Sequence, residues 1–394
     1  GGYQPTMDLC RQFHLGLVGL FKRQEQTMKK RILFVIDNLK GGGAEKVLIT
    51  YLRYIDTSLF DVALFLINKA GIYLEDLPSY VRLRWGFVEP LGIVGRIMRR
   101  VFLYWPVLFR LFFIRGRYDV EVAFREDSST RIVLKSFDRK SKKIGWLHTD
   151  LTRFAYYPTT PVKRYLRSLS KLDHTVCVSH GVETILHKLN PQTKGKTSVI
   201  YNPLDVETVR MQSALPFDDP FDPADTNLLT IGRIDDGKNH RFLIECMPTL
   251  LERNQNIRLW ILGVGERTEE LKQLCEEMHL TEHVRFLGFI KNPFPYLAHA
   301  DLFVFSSVFE GLPTVLIEAL ILHKKIVSSY CVGGEEVLDF GKYGVLSRLD
   351  KDEYCSKVQQ VLDGGLLPEV AFEERIADFG LANQCRMFND FLND

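Results

Sequence analysis

From Arg31 onward the chain repeats one unit: a short apolar run, a turn of small residues and a longer helical stretch. Ile32 to Ile36 reads as a buried strand, a glycine turn follows, and the pattern predicts a helix from about Ala44 to Tyr54. Val62 to Ile67, Val120 to Phe124, Lys143 to Leu147, His174 to Val178 and Ser198 to Tyr201 read as further strands. Strands that alternate with helices must be joined by crossovers, so they form a parallel, doubly wound α/β sheet. A Pro- and Asp-rich stretch, Pro203 to Thr226, breaks the rhythm and reads as a linker. A second series then runs through Leu228 to Ile231, Arg258 to Leu262, Val284 to Leu287, Leu302 to Phe305 and Ile326 to Ser328. The spacing predicts two Rossmann-like domains, 28–205 and 206–375, facing each other across a cleft. An extension, 1–27, precedes them, and a helix in 376–394 returns toward the first domain. Ligands bind such sheets at the carboxyl ends of their strands.

Composition narrows the class. A chain of 394 residues with 46% hydrophobic and 25% charged residues has material for two conventional cores. A net charge of +2 gives no reason to expect nucleic acid as a partner. The seven cysteines are scattered and never form Cys-x-x-Cys, which argues for a reducing compartment and against structural zinc. No apolar run approaches the roughly 20 residues that span a bilayer, and the start lacks a signal-peptide pattern. The expected location is therefore cytoplasmic, with Met28 as a natural start.

The strongest chemical signal is Phe309-Glu310-Gly311-Leu312-Pro313-Thr314-Val315-Leu316-Ile317-Glu318-Ala319-Leu320, which directly follows a strand. Gly311 permits close backbone approach, and Pro313 suits the first turn of a helix whose free amides make an anion site. Glu318 falls among apolar residues, so it is expected to be buried and to need a partner, which ligand hydroxyls can supply. The alternatives are a structural ion pair for Glu318 and a helix-capping role for Glu310. Upstream, Gly232-Arg233-Ile234-Asp235-Asp236-Gly237-Lys238-Asn239 places two cations at the carboxyl end of a strand. A bidentate guanidinium and a point-charge ammonium together suit a diphosphate, whereas alone they would read as solvated loop cations.

Gly-Arg-x4-Lys-Asn paired with Phe-Glu-Gly-Leu-Pro-x4-Glu-Ala resembles the retaining glycosyltransferases of family 4, which have the GT-B fold. The similarity is clear over about 198–350 and weaker in the first half. The resemblance implies that Glu310 contacts the donor sugar, Glu318 the ribose, and Arg233 and Lys238 the diphosphate. It also implies a strand-end glycine turn at Gly263 and Gly265, and a nucleobase held near Phe289 and Ile290. Gly232, Gly311, Leu312, Pro313 and Thr314 complete the expected donor site.

In the first half, Gly41, Gly42 and Gly43 join the first strand to the first helix, where backbone amides can approach a bound group closely. They resemble the family's glycine loop near the donor phosphates and the acceptor; the alternative is a permissive turn. His148 ends a strand and points to the same cleft, where the family often has a histidine near the reacting sugar; a lone histidine is otherwise more often structural. Residues 92–117 mix Arg96, Arg99, Arg100, Arg110, Arg115 and Arg117 with Val, Phe, Leu, Tyr and Trp, interrupted by Pro106. They read either as an interfacial helix on an anionic membrane surface or as a helix on the sheet with a solvated basic face.

The expected reaction moves a sugar from a nucleotide diphosphate, a UDP-sugar being favoured, to an acceptor hydroxyl with retention. The expected acceptor is a lipid-linked glycan in envelope or capsular polysaccharide synthesis, with the protein peripheral on the inner membrane face. Glu310, His148, Arg233 and Lys238 are the expected catalytic residues. Arg233, Lys238 and helix amides can stabilise the leaving diphosphate, so no cofactor and no metal are expected. Asp350-Lys351-Asp352 reads as a solvated polar turn. Two other readings stay open: a sugar-nucleotide epimerase of the same fold, and a non-catalytic nucleotide-sugar-binding subunit of a polysaccharide synthesis complex.

Overall fold

The structure, a computed structural model, describes residues 29–152, 162–365 and 371–394. The proposed extension 1–27 and Met28 lie outside the described residues.

The first sheet contains β1 (Lys30–Ile36), β2 (Phe60–Lys69), β3 (Arg82–Val88), β4 (Val120–Ala123), β5 (Lys142–Leu147), β6 (His174–Cys177) and β7 (Thr197–Val199). The second contains β8 (Thr226–Ile231), β9 (Ile257–Leu262), β10 (Val284–Gly288), β11 (Leu302–Phe305), β12 (Ile326–Ser329) and β13 (Val345–Ser347). Their orders are β3-β2-β1-β4-β5-β6-β7 and β10-β9-β8-β11-β12-β13, and every pairing is parallel. In each sheet the chain order reverses beside the first strand of the series, between β1 and β4 and between β8 and β11. Those two switch points open the crevices in which such sheets bind ligands. Ile32 through Ile36 are fully buried, as a central strand covered by helices on both faces requires.

Two strands escaped the sequence reading. The edge strand β3 is largely exposed and carries Arg82, Arg84 and Gly86, so it lacks the apolar run of its neighbours. The edge strand β13 has three residues. The stretch Pro203 to Thr226 is not simply a linker, because Val206–Ser213 is a helix whose first turn is capped by Asp205, accepting from the Thr208 amide at 3.0 Å. Asp350 likewise does more than sit in a polar turn: it caps the helix Lys351–Leu362 through the Glu353 amide at 2.9 Å.

The chain crosses back at its far end. Leu204 exchanges backbone hydrogen bonds with Phe379 and Leu381, and the helix Leu381–Asn393 then lies against the first sheet. Phe388 stacks on Tyr51 with centroids 4.1 Å apart and packs edge-on to Trp146 at 5.7 Å. At the helix end, Lys30 Nζ donates to the carbonyls of Leu392 and Asn393 at 3.1 and 2.6 Å.

Residues 92–117 form two helices, Ile93–Tyr104 and Val107–Phe112, with Pro106 at the break as the N-cap of the second. Their arginines do not share one face, and Arg110 belongs to neither the interfacial nor the solvated basic face read from sequence. Arg110 is buried and donates to Glu121 Oε1 at 2.6 Å and to Ser136 Oγ at 2.5 Å. Arg99 approaches Glu89 at 3.9 Å, while Arg96, Arg100, Arg115 and Arg117 are exposed. Among them Ile93, Val94, Ile97, Met98, Tyr104 and Trp105 are also exposed, each by 46% or more. No helix of the described residues is long and apolar enough to cross a membrane.

Candidate functional site

The second domain builds its site from the carboxyl ends of β8, β9, β10 and β11. After β8 the chain turns through Gly232 to Lys238, and Asp235 organises the turn. Its Oδ1 accepts from the Lys238 amide at 3.0 Å, and its Oδ2 accepts from Arg233 Nε at 2.7 Å. Burial raises the Asp235 pKa, but the Lys238 amide and Arg233 outweigh it and hold the carboxyl below its usual range. Arg233 is 63% exposed at its side chain and free to meet a ligand, whereas Lys238 points inward.

Gly263 and Gly265 after β9 pack against this turn. Gly263 has φ +141°, and a β-carbon there would collide with the Gly232 carbonyl; one on Gly265 would collide with the Ile234 carbonyl. These glycines therefore serve close backbone packing in the structure. The Gly263 amide also donates to the Gly288 carbonyl at 2.7 Å, which sets Phe289 and Ile290 beside the turn, Phe289 being 66% exposed.

After β11, Ser306 Oγ donates to the Lys238 and Asn239 carbonyls, both at 3.0 Å, and the Val308 amide donates to the Gly237 carbonyl at 2.9 Å. These bonds join the two motifs edge to edge. Lys238 Nζ meets Glu310 Oε1 at 2.5 Å, both side chains mostly shielded from solvent. Glu310 is not a helix cap, because the helix Thr314–Ile321 begins four residues later with Pro313 as its N-cap. Pro313 thus precedes the first turn rather than lying in it. Leu312 is buried beneath the turn.

Glu318 is 6% exposed, as its apolar neighbours require, and its partner is a cation from the other domain. Lys46 Nζ approaches Glu318 Oε1 at 3.4 Å. Attraction to Glu318 raises the Lys46 pKa against the opposing effect of burial. Lys46 follows the glycine loop directly. Gly43 already belongs to the helix Gly43–Tyr54, so the loop proper closes at Gly42, and Gly41 has φ +114°.

The first domain also reaches Glu310's turn through backbone. A β-carbon on Gly311 would strike the His148 carbonyl, and Ser179 Oγ donates to the Gly311 carbonyl at 2.8 Å. The His148 ring tilts against Phe124 with centroids 4.9 Å apart, and neither buried ring nitrogen has a hydrogen-bond partner of good geometry. Burial, reinforced by the Arg125 cation, brings its pKa down to about 3, so the imidazole is neutral at ordinary pH. With its pKa this low, the ring can take part in hydrogen bonds but is poorly suited to proton transfer at ordinary pH.

Several residues of the cleft carried no signal in sequence. Arg125 approaches Glu45 at 3.1 Å and Asp37 at 3.8 Å at the carboxyl ends of β1 and β4. Desolvation pushes the Asp37 pKa up to about 6, with Arg125 opposing and the carboxylates of Glu45, Asp127 and Glu126 adding to the rise. Glu336, in the helix Val332–Val337 of the second domain, accepts from the His180 and Gly181 amides and from Tyr201 Oη, each at 2.8 Å. It thereby occupies the amino end of the helix His180–Leu189 in the first domain, where free amides and the helix dipole favour a carboxylate. Among the described residues no group of His, Cys, Asp and Glu is arranged to hold a metal ion.

Residues 225–364 match the family model described as glycosyl transferases group 1. An N-acetylgalactosamine-N,N'-diacetylbacillosaminyl-diphospho-undecaprenol 4-alpha-N-acetylgalactosaminyltransferase of Campylobacter jejuni is 36% identical over 195 residues, 48% of this chain and 51% of that protein. An uncharacterized glycosyltransferase of Methanocaldococcus jannaschii is 33% identical over 172 residues, 39% of this chain and 42% of that protein. The chain thus spans about half or less of the length of these curated relatives. Among solved structures, Anabaena HepE in complex with UDP and glucose superimposes with a TM-score of 0.72 at 18% identity, covering 92% of this chain and 99% of that one. The lipopolysaccharide outer core galactosyltransferase WaaB aligns with a TM-score of 0.67 at 19% identity, covering 91% and 98%. The described chain has the GT-B fold, and over residues 225–364 its second domain is similar in sequence to the group 1 glycosyl transferases.

Proposed function

We propose that this protein is a retaining glycosyltransferase that moves a sugar from a nucleotide diphosphate to an acceptor hydroxyl. The observation that carries the reading is the 2.5 Å contact between Lys238 and Glu310. A cation suited to a phosphate and a carboxylate suited to sugar hydroxyls lie side by side, as a sugar joined directly to a diphosphate requires. Arg233 adds an exposed guanidinium beside them, and Glu318 lies about one turn into the helix Thr314–Ile321, where a ribose would displace Lys46. A UDP-sugar is the favoured donor, in keeping with the UDP held by the structurally similar HepE.

Charge grows on the departing diphosphate as the glycosidic bond breaks. Arg233, Lys238 and the free amides at the start of the helix Thr314–Ile321 stabilise that charge without calling on a metal. No carboxylate of the site is assigned as nucleophile. Attack from the same face as the leaving group, with a phosphate oxygen taking the acceptor's proton, accounts for retention, and Glu310 and neutral His148 orient the sugar.

A lipid-linked glycan in polysaccharide synthesis is the favoured acceptor, by analogy with the diphospho-undecaprenol in the name of the Campylobacter relative. The exposed apolar and basic face of residues 92–117 would hold the protein against the inner membrane leaflet, where such an acceptor resides.

Donor turnover tests the assignment. With a panel of UDP- and GDP-sugars, Glu310→Gln and Lys238→Ala are each expected to lower kcat by about a hundredfold or more, the scale of removing one preorganised charge partner. Wild-type turnover in either variant would show the site to be misassigned, and an epimerised nucleotide-sugar product would replace transfer with epimerisation.

A further inference from the structure

At the opposite end of the first sheet from the cleft, six cations face one hollow. The helix Ser128–Val133 and the turn after it supply Arg131, Lys135 and Arg139. The start of β5 supplies Lys143, and the helix Val162–Leu169 with its following turn supplies Arg164 and Lys171. They line an open cavity of about 620 Å³ in which Asp173 is the one carboxylate. One oxygen of Asp173 is already taken by the Lys143 amide at 2.7 Å. Among the described residues none of the six cations forms an ion pair, although arginines and lysines elsewhere on this surface commonly do.

Like charges gathered around a hollow repel one another, and a polyvalent anion relieves that repulsion. The floor of the hollow is rigid. Ser136, which lines it, donates to Glu121 at 2.5 Å and accepts from Arg110 at the same distance, so a buried ion pair pins the loop that carries Lys135 and Arg139.

The rim identifies the source of the anion. Tyr104 and Pro106 form one wall, and Arg131 donates to the Tyr104 carbonyl at 3.3 Å. The same segment around Pro106 also exposes Trp105, Leu111 and Phe112, by 55%, 57% and 62%. A basic hollow edged by exposed aromatic and aliphatic side chains matches the boundary of a bilayer, with phosphates beside hydrocarbon. A soluble phosphate has no use for such a rim.

We propose that this cavity binds the phosphate headgroup of an anionic membrane lipid, at a site separate from the donor cleft. The proposal rests on the membrane-facing reading of the helices around Pro106, and it adds a specific headgroup position that depends on a different set of residues. Bound there, a lipid would fix the rotation of the first domain on the membrane, which a single apolar helix face leaves free.

The test uses the full chain with vesicles of phosphatidylcholine, with and without phosphatidic acid, and separately with soluble dihexanoyl phosphatidic acid. Phosphatidic acid is expected to strengthen vesicle binding, and the soluble lipid is expected to bind by titration calorimetry. The variant Lys135→Glu, Arg139→Glu, Lys171→Glu should keep its melting temperature and lose at least about tenfold in affinity for both. Soluble lipid bound by the wild type and not by the variant supports the headgroup site even if vesicles fail to bind, a result that would count only against the membrane-facing helices. Equal affinity of variant and wild type overturns the proposal. So does inorganic phosphate or a short RNA binding the wild type as tightly as the lipid does.

Discussion

Two buried histidines make stability depend on pH. His240, 2% exposed at the start of the helix His240–Arg253, has its pKa brought down to about 4 by burial and then by Lys238. Its folded value lies below the unfolded one near 6.5, so as pH falls between them the unfolded chain takes up a proton that the folded chain refuses. The stability present above about pH 6.5 is therefore lost toward acid, by roughly 1.4 kcal/mol for each pH unit per histidine. His148 acts in the same direction, while Asp37, its pKa raised, opposes them over its own range. His240→Phe should flatten the fall in urea midpoint between about pH 6.5 and 5; a slope identical to wild type would remove His240 from this account. At this scale the candidate donor residues could be singled out because each motif is contiguous. Arg233 and Lys238 share one turn, and Glu310 and Glu318 one loop and helix. Lys46, Arg125, Ser179 and Glu336 were not legible, because each acts on a partner brought near only by the fold. Lys46 stands 272 positions from Glu318.

Among the elements, the helix Ile93–Tyr104 is the least committed to the core. Phe102 is its only buried side chain, while Ile93, Val94, Ile97 and Met98 face solvent. Exposed apolar residues add little to folding, so the double variant Ile97→Ser, Met98→Ser should leave the melting temperature within about a degree or two. Vesicle flotation should nonetheless drop several-fold, because each apolar side chain withdrawn from a bilayer boundary loses on the order of 1 kcal/mol. Undiminished flotation would leave this helix without a membrane role. Sequence could show that apolar and basic residues mingle here, but not that Arg110 turns inward to Glu121 while its neighbours turn out. That choice depends on where β4 places its glutamate. The edge strands β3 and β13 were invisible for the opposite reason, since an edge needs neither a long run nor an unbroken apolar face.

For the whole molecule, the two sheets are tied by few but specific contacts. Glu336 holds the amino end of a first-domain helix, Ser179 and His148 hold the Gly311 turn, and Phe388 fills the first domain from the far end of the described chain. Phe388 is fully buried against Tyr51, Phe34 and Trp146. Phe388→Ala should cost about 3–5 kcal/mol and lower the unfolding midpoint of the first domain as well as the second, read by differential scanning calorimetry. A first domain that melts unchanged would show that the returning helix is merely appended. The alternating strands and helices made the two sheets readable from sequence, whereas the interlock is a matter of distant pairs that no local pattern encodes.

The returning helix has a consequence for biosynthesis. A ribosome makes β1 and the helix that carries Tyr51 first, and residues 381–393 only after every strand of the second sheet. Through that interval the nascent first domain lacks its last aromatic layer, and Tyr51, Phe34 and Trp146 stay uncovered. Domains built early usually fold early. Here an earlier portion is completed only after a later one, so the interval of greatest exposure to aggregation belongs not to the newer segment but to the older.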